Sequence, residues 1–149
     1  MNTKPRYARP AGLNDDLRQF SLGDLIERLS PIPLMQEPWG ERLPEPKTVR
    51  FDFGNTMPIE LSSYRGSYEE LSIIYSGDYD KRLTVEQFLA RLKTAVGETF
   101  QGWKGGDFVM DTITPLWVVS EPRNMSETVI VGVRDLGHTV VLDTAWCES

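Results

Sequence analysis

The chain is poor in the residues that build metal and redox chemistry. One cysteine, Cys147, and one histidine, His138, occur in 149 residues. A lone cysteine excludes an internal disulfide and a thiolate metal cluster, and with a lone histidine it argues against a zinc site or a Cys–His catalytic pair. A reducing cytoplasm is the compartment this usage implies. No apolar run reaches the ~18 residues of a membrane span. The N-terminal residues are basic but lack the apolar segment of a signal peptide, so neither export nor a membrane partner is expected. G-x-S-x-G, Walker and G-x-G-x-x-G motifs are absent, so neither catalysis nor a bound cofactor is expected. Basic excess is missing too. The formal charge of −6 argues against binding to polymeric nucleic acid, which needs a basic stripe.

What remains is the balance of an ordinary globular protein, with 40% hydrophobic and 26% charged residues, of a length that makes one domain. Residues 1–47 carry seven basic and seven acidic side chains, so residues 48–149 hold the whole negative excess. An anionic ligand therefore needs a local cationic pocket.

Residues 1–20 are polar, with Pro5, Pro10 and Gly12, and read as a loose arm. Ser21 and Asp24 have the spacing of a capping box, and Leu22, Leu25, Ile26 and Leu29 follow at helical period. A helix this short is marginal alone and needs either the main domain or another subunit to cover its stripe. Five prolines between Pro31 and Pro46 make a semi-rigid linker, and Met35 and Trp39 imply that it lies along a surface. The division expected is an arm with a short helix and linker at 1–47, and an α+β ligand-binding domain at 48–149. Within the latter, alternation at 48–53 and the runs at 69–75, 115–120, 128–134 and 139–144 read as strands, and 59–67 as a loop or short strand. Thr84 and Gln87 cap a helix whose stripe is Val85, Phe88, Leu89, Leu92 and Val96, stopped by Gly97. The turn Asp135-Leu136-Gly137-His138 predicts a terminal hairpin. This order predicts one antiparallel sheet packed with one main helix.

Two stretches carry candidate binding chemistry. In Thr99–Met110, Gly102, Gly105 and Gly106 permit positive φ and close backbone approach, so the amides of Gly105 and Gly106 can form an anion nest beside Lys104. Trp103 offers a stacking face and Asp107 a carboxylate. The plainer alternative is a tight glycine turn that packs its aromatics inward. In Ser62–Tyr68, Arg65 stands beside Gly66, with Tyr64, Tyr68 and serine hydroxyls around it, a set suited to gripping phosphate oxygens. Its alternative is an ordinary surface ion pair. Arg134 and Asn124 are weaker candidates for the same pocket. Asp52, Glu69, Glu70, Asp107 and Asp111 form a carboxylate dyad only if the fold brings two together. Asp78 and Asp80 lack the remaining ligands of a calcium loop, and His138 reads as an exposed turn residue.

Taken together, Phe51-Asp52-Phe53-Gly54, Ser63-Tyr64-Arg65-Gly66 with Tyr68 and Leu71, the capped helix, Thr99-Phe100-x-Gly102-Trp103-Lys104-Gly105-Gly106-Asp107-Phe108-x-Met110 and Thr114-Pro115-x-Trp117-Val118 form one string. It resembles the Thoeris anti-defence 1 family of bacteriophage signal-sequestering proteins over residues 48–145. The resemblance implies a non-enzymatic homo-oligomer, with a hexamer one form, in the host bacterial cytoplasm. Such a protein binds cyclic ADP-ribose isomers, and in some members cyclic oligonucleotides at separate sites, without degrading them. On that basis Arg65, Lys104 and the Gly66, Gly105 and Gly106 backbone would hold phosphate. Tyr64, Tyr68 or Trp103 would hold adenine, and Asp107 or Asn124 the riboses. The extension at 1–47 is a departure. The alternative function is a phage protein that inhibits a host defence component by direct binding, with the segment at 21–30 as its docking helix.

Overall fold

The computed structural model describes residues 6–8, 18–36, 43–64, 70–101, 106–121 and 127–148, the first and the last two residues of these (6–8, 147 and 148) by backbone alone. Among the described residues, nine strands and two α-helices form an α+β arrangement of two mixed sheets and a small hairpin.

Both helices start where the capping boxes place them. In the first, α1 (Leu22–Leu29), the Ser21 hydroxyl accepts from the Asp24 amide at 3.2 Å, and the Asp24 carboxylate accepts from the Ser21 amide at 2.9 Å. In the second, α2 (Val85–Ala95), Thr84 and Gln87 exchange the same pair of bonds at 3.1 and 3.0 Å. Val96 departs from the expected stripe. It leaves the helix with extended φ/ψ and is partly exposed, and Ala95 is buried in its stead. Gly97 then turns the chain at φ +80° and donates its amide to the Met110 carbonyl at 2.7 Å.

The first sheet is organised around β9 (Thr139–Glu148). Along one edge runs β8 (Thr128–Asp135), antiparallel. The other edge is shared by β2 (Thr48–Phe51), parallel over 139–142, and β1 (Arg6–Ala8), antiparallel over 146–148. In the second sheet β4 (Leu71–Ser76) is central, antiparallel to β3 (Met57–Ser63) and parallel to β7 (Leu116–Val119). The hairpin pairs β5 (Thr99–Gln101) with β6 (Asp107–Val109). One antiparallel sheet with one main helix is therefore corrected to two mixed sheets with two core helices. The parallel pairs follow from connectivity: α2 and the hairpin lie between β4 and β7, the long crossover that parallel neighbours require.

The helix expected in an N-terminal arm sits in the shared core. Leu22, Leu25 and Leu29 are fully buried and Phe20 nearly so, in one cluster with Val49, Phe51, Ile73, Phe88, Leu92, Leu116, Ile130 and Leu142. The segment before it bridges the sheets. The Gln19 side-chain amide donates to the Leu116 carbonyl at 2.7 Å, and the Phe20 amide to Ile130 at 2.8 Å. Leu22 and Gly23 donate to the carbonyls of Thr114 and Thr112 at 2.9 and 2.8 Å. Beyond α1, Ile32 and Leu34 pack against the core, and the strip at 34–36 pairs back on 45–47 through Gln36–Glu45 and Lys47–Leu34 backbone bonds. Trp39 lies outside the described residues.

Gly23 is required by this approach: a Cβ there would stand 2.7 Å from the Thr112 carbonyl oxygen. Gly23→Ala should cost about 1–3 kcal/mol by overpacking. Leu25→Ala should cost about 2–5 kcal/mol as a core truncation. Gly77→Ala, where a Cβ meets nothing within 4 Å, should be near neutral. Urea denaturation of the three variants checks this ranking.

Candidate functional site

The Arg65-bearing segment is the connection between β3 and β4, and its base is firmly built. The Tyr64 amide donates to the Glu70 carbonyl at 2.7 Å, closing the loop. The Tyr64 ring stacks on Trp117 with centroids 5.2 Å apart and planes at 20°. Trp117 in turn donates its indole N–H to a Glu70 carboxylate oxygen at 3.0 Å. Tyr64 is only 6% exposed, so its ring supports the loop and does not offer an open face to a base. Arg65, Gly66 and Tyr68 lie outside the described residues.

The glycine-rich stretch forms β5 and β6, with Thr99 opposite Val109, Phe100 opposite Phe108 and Gln101 opposite Asp107. Trp103, Lys104 and Gly105, at the connection, lie outside the described residues. Gly106 follows at φ +83°, a conformation side chains rarely adopt, with the Phe108 ring 3.5 Å from where a Cβ would stand. Asp107 is exposed. Beside this hairpin, β3, α2 and β5 enclose a cleft of about 340 Å³ lined by Glu60, Leu61, Arg91, Thr94, Glu98 and Phe100. Arg91 is held there by donating to the Ile59 carbonyl at 2.8 Å. Only the packing of α2 over β3 creates this cleft, and the helical period of Arg91 and Thr94 was its one sequence signal.

Arg134 forms an ion pair within the first sheet. Its Nε donates to both Asp143 oxygens at 2.9 and 3.1 Å, and its terminal nitrogen stands 2.9 Å from Oδ1. Asp143 is buried, so this pair neutralises a carboxylate inside the first sheet, while about half of the Arg134 side chain stays exposed. Asn124 lies outside the described residues, as does Glu69. Three of the candidate dyad carboxylates hold structural bonds. Asp52 accepts from the Thr144 amide and hydroxyl at 3.0 and 2.5 Å, Glu70 from Trp117, and Asp111 from the Ile113 amide at 2.9 Å. Asp78 caps the 3₁₀ turn Tyr79–Lys81 by accepting from the Asp80 amide at 3.1 Å, and His138 is exposed in the β8–β9 turn.

One ion pair was not legible in the sequence. Lys47 is 4% exposed and its ammonium donates to both Asp135 oxygens at 3.0 and 2.9 Å. Asp135 also accepts from the Gly137 amide at 2.9 Å, which sets the hairpin turn. The Lys47 bond first, and then the Gly137 bond, hold the Asp135 carboxyl below its ordinary 3.8, against the opposing effect of desolvation. The folded form thus binds this proton more weakly than the unfolded form. Its stabilisation is present above the ordinary carboxylate range and is lost as pH falls through the lowered value. Asp135→Asn should flatten the decline of stability below about pH 4, read by urea midpoints across pH. At pH 7 Asp135→Ala, which strands a buried ammonium, should cost about 2 kcal/mol or more.

No protein-family model matches the chain, no curated protein matches its sequence, and no solved structure matches its fold.

Proposed function

We propose that the protein is a non-catalytic binder that sequesters a cyclic nucleotide immune signal, as the Thoeris anti-defence 1 proteins it resembles do. A cyclic ADP-ribose isomer is the first candidate and a cyclic oligonucleotide the second. The site would be a homo-oligomeric bacteriophage protein's ligand pocket, working in the host cytoplasm. What supports this reading is that the two cation-bearing glycine segments fall in the chain between paired strands. Residues 65–69 join β3 to β4, and residues 102–105 join β5 to β6. Each is flanked by paired backbone, and Tyr64 and Glu70, which flank the first, are held by contacts with Trp117 and with each other. Short loops on rigid strands are where binding residues gain precision without cost to the core. Arg65 and Lys104 would meet the phosphates, and Tyr68 and Trp103 would supply the base-stacking faces in place of Tyr64.

Inhibition through a docking helix at 21–30 has less to rest on, because the apolar stripe of α1 is inside the core.

Purified protein incubated with a cyclic ADP-ribose isomer made by a TIR-domain enzyme should retain it on filtration and release it unaltered on heating. Arg65→Ala and Lys104→Ala should each weaken retention by about tenfold or more, the loss of one charge-assisted contact. Free signal in the first filtrate rejects that ligand, and altered signal after heating would reveal an enzyme.

A further inference from the structure

A second recess, of about 360 Å³, opens at the other end of the β3–β4 pair. Met57 pairs with Ser76 at this end, whereas Ser63 pairs with Leu71 beside the 65–69 loop, roughly 20 Å away at strand rise. Its polar lining is Thr48, Arg50, Asn55, Tyr79, Arg82 and Thr139. In a chain with 22 acidic and 16 basic residues, two arginines with no carboxylate among the described lining residues form a concentration of positive charge. Among the described residues, neither guanidinium has a carboxylate at salt-bridge distance.

The arginines are nevertheless held in place. Arg82 lies 3.8 Å above the Tyr79 ring centroid and donates to the Tyr79 carbonyl at 2.9 Å. This fixes the plane of its fork and leaves further N–H groups for a ligand. Arg50 makes one long bond, 3.4 Å, to the Phe51 carbonyl. The Thr48 and Thr139 hydroxyls stand 3.2 Å apart across the β2–β9 pair, and either can donate to a third group. An adjoining recess of about 670 Å³ shares Thr48, Tyr79, Arg82 and Thr139 and adds His138, with Glu45 and Asp80 on its wall. Those carboxylates repel an anion from the outer recess, so the arginine side is where it would settle.

We propose that this recess is a binding site for a phosphate-bearing small molecule, whose phosphate oxygens take N–H donors from Arg50 and Arg82 and a hydroxyl donor from Thr48 or Thr139. Two guanidiniums and the one hydroxyl proton that the Thr48–Thr139 pair leaves free suit a tetrahedral oxyanion, whose three or more oxygens accept donors from several directions, better than a planar carboxylate. The recess lies at the opposite end of the β3–β4 pair from Tyr64 and Glu70, which flank residues 65–69.

The test uses inorganic pyrophosphate as probe and the imidazole C–H signals of His138, the sole histidine, as a local reporter in proton NMR. Titration of the full-length protein should move these signals saturably, and neutral adenosine should not. Arg50→Gln and Arg82→Gln should each weaken pyrophosphate by about tenfold, with Arg82→Lys between Arg82→Gln and the parent protein. Arg65→Ala should leave it unchanged. Melting temperatures of the unliganded variants establish that each is folded. No saturable shift, full binding by folded Arg50→Gln and Arg82→Gln, or loss of binding in Arg65→Ala would each overturn the site.

Discussion

The burial of Phe20, Leu22, Leu25 and Leu29 between two sheets is the interaction on which the rest depends. An eight-residue helix does not hold itself together in water; its stability comes from its covered stripe. Removing four such side chains from water contributes on the order of 1.5–3 kcal/mol each before ordering costs. The same segment satisfies backbone groups on both sides. It donates to Ile130 in the first sheet, and to Leu116, at the edge of the second, and the turn at 112–114 before it. Gly23 is the narrowest point of this contact, where any side chain meets the Thr112 backbone.

With that segment in place, two central strands determine where loops emerge. β9 takes partners on both edges, and β4 is buried on both faces over Leu71–Ile74. Residues 65–69 and 102–105 fall between paired strands. Internal ion pairs set the charge that remains. Arg134 pairs with Asp143 and the buried Lys47 with Asp135, whereas Arg50 and Arg82 line a recess and, among the described residues, have no carboxylate at salt-bridge distance.

Local chemistry was legible in the chain. Both capping boxes, the stop at Gly97, the terminal hairpin and the positions of the main strands are short-range signals, and each appears within a few residues of its expected place. Pairing direction was not, because β2 and β9 are separated by most of the chain and nothing in either run encodes a parallel partner. The amphipathic period at 22–29 announced a helix but could not say which surface covers it. Val96 was misplaced because the helix ends one residue before it, and a period has no end of its own. For the site, Tyr64 was marked by its neighbours, yet its stacking on Trp117 depends on β4–β7 pairing. The arginine recess escaped for the same reason: Arg50, Arg82 and Thr139 are distant in sequence and meet only through the two sheets.

Amide hydrogen exchange, with and without a cyclic ADP-ribose isomer, tests most directly that residues 20–29 are a fixed internal wedge and that ligand acts on the loops. The amides of Phe20, Leu22, Gly23 and Leu25 should be as protected as those of β4 and β9 in the free protein and unchanged on binding, while added protection appears at 64–70 and 101–107. Rapid exchange across 20–29 beside a protected remainder, or ligand-induced protection confined to that segment, would contradict the account.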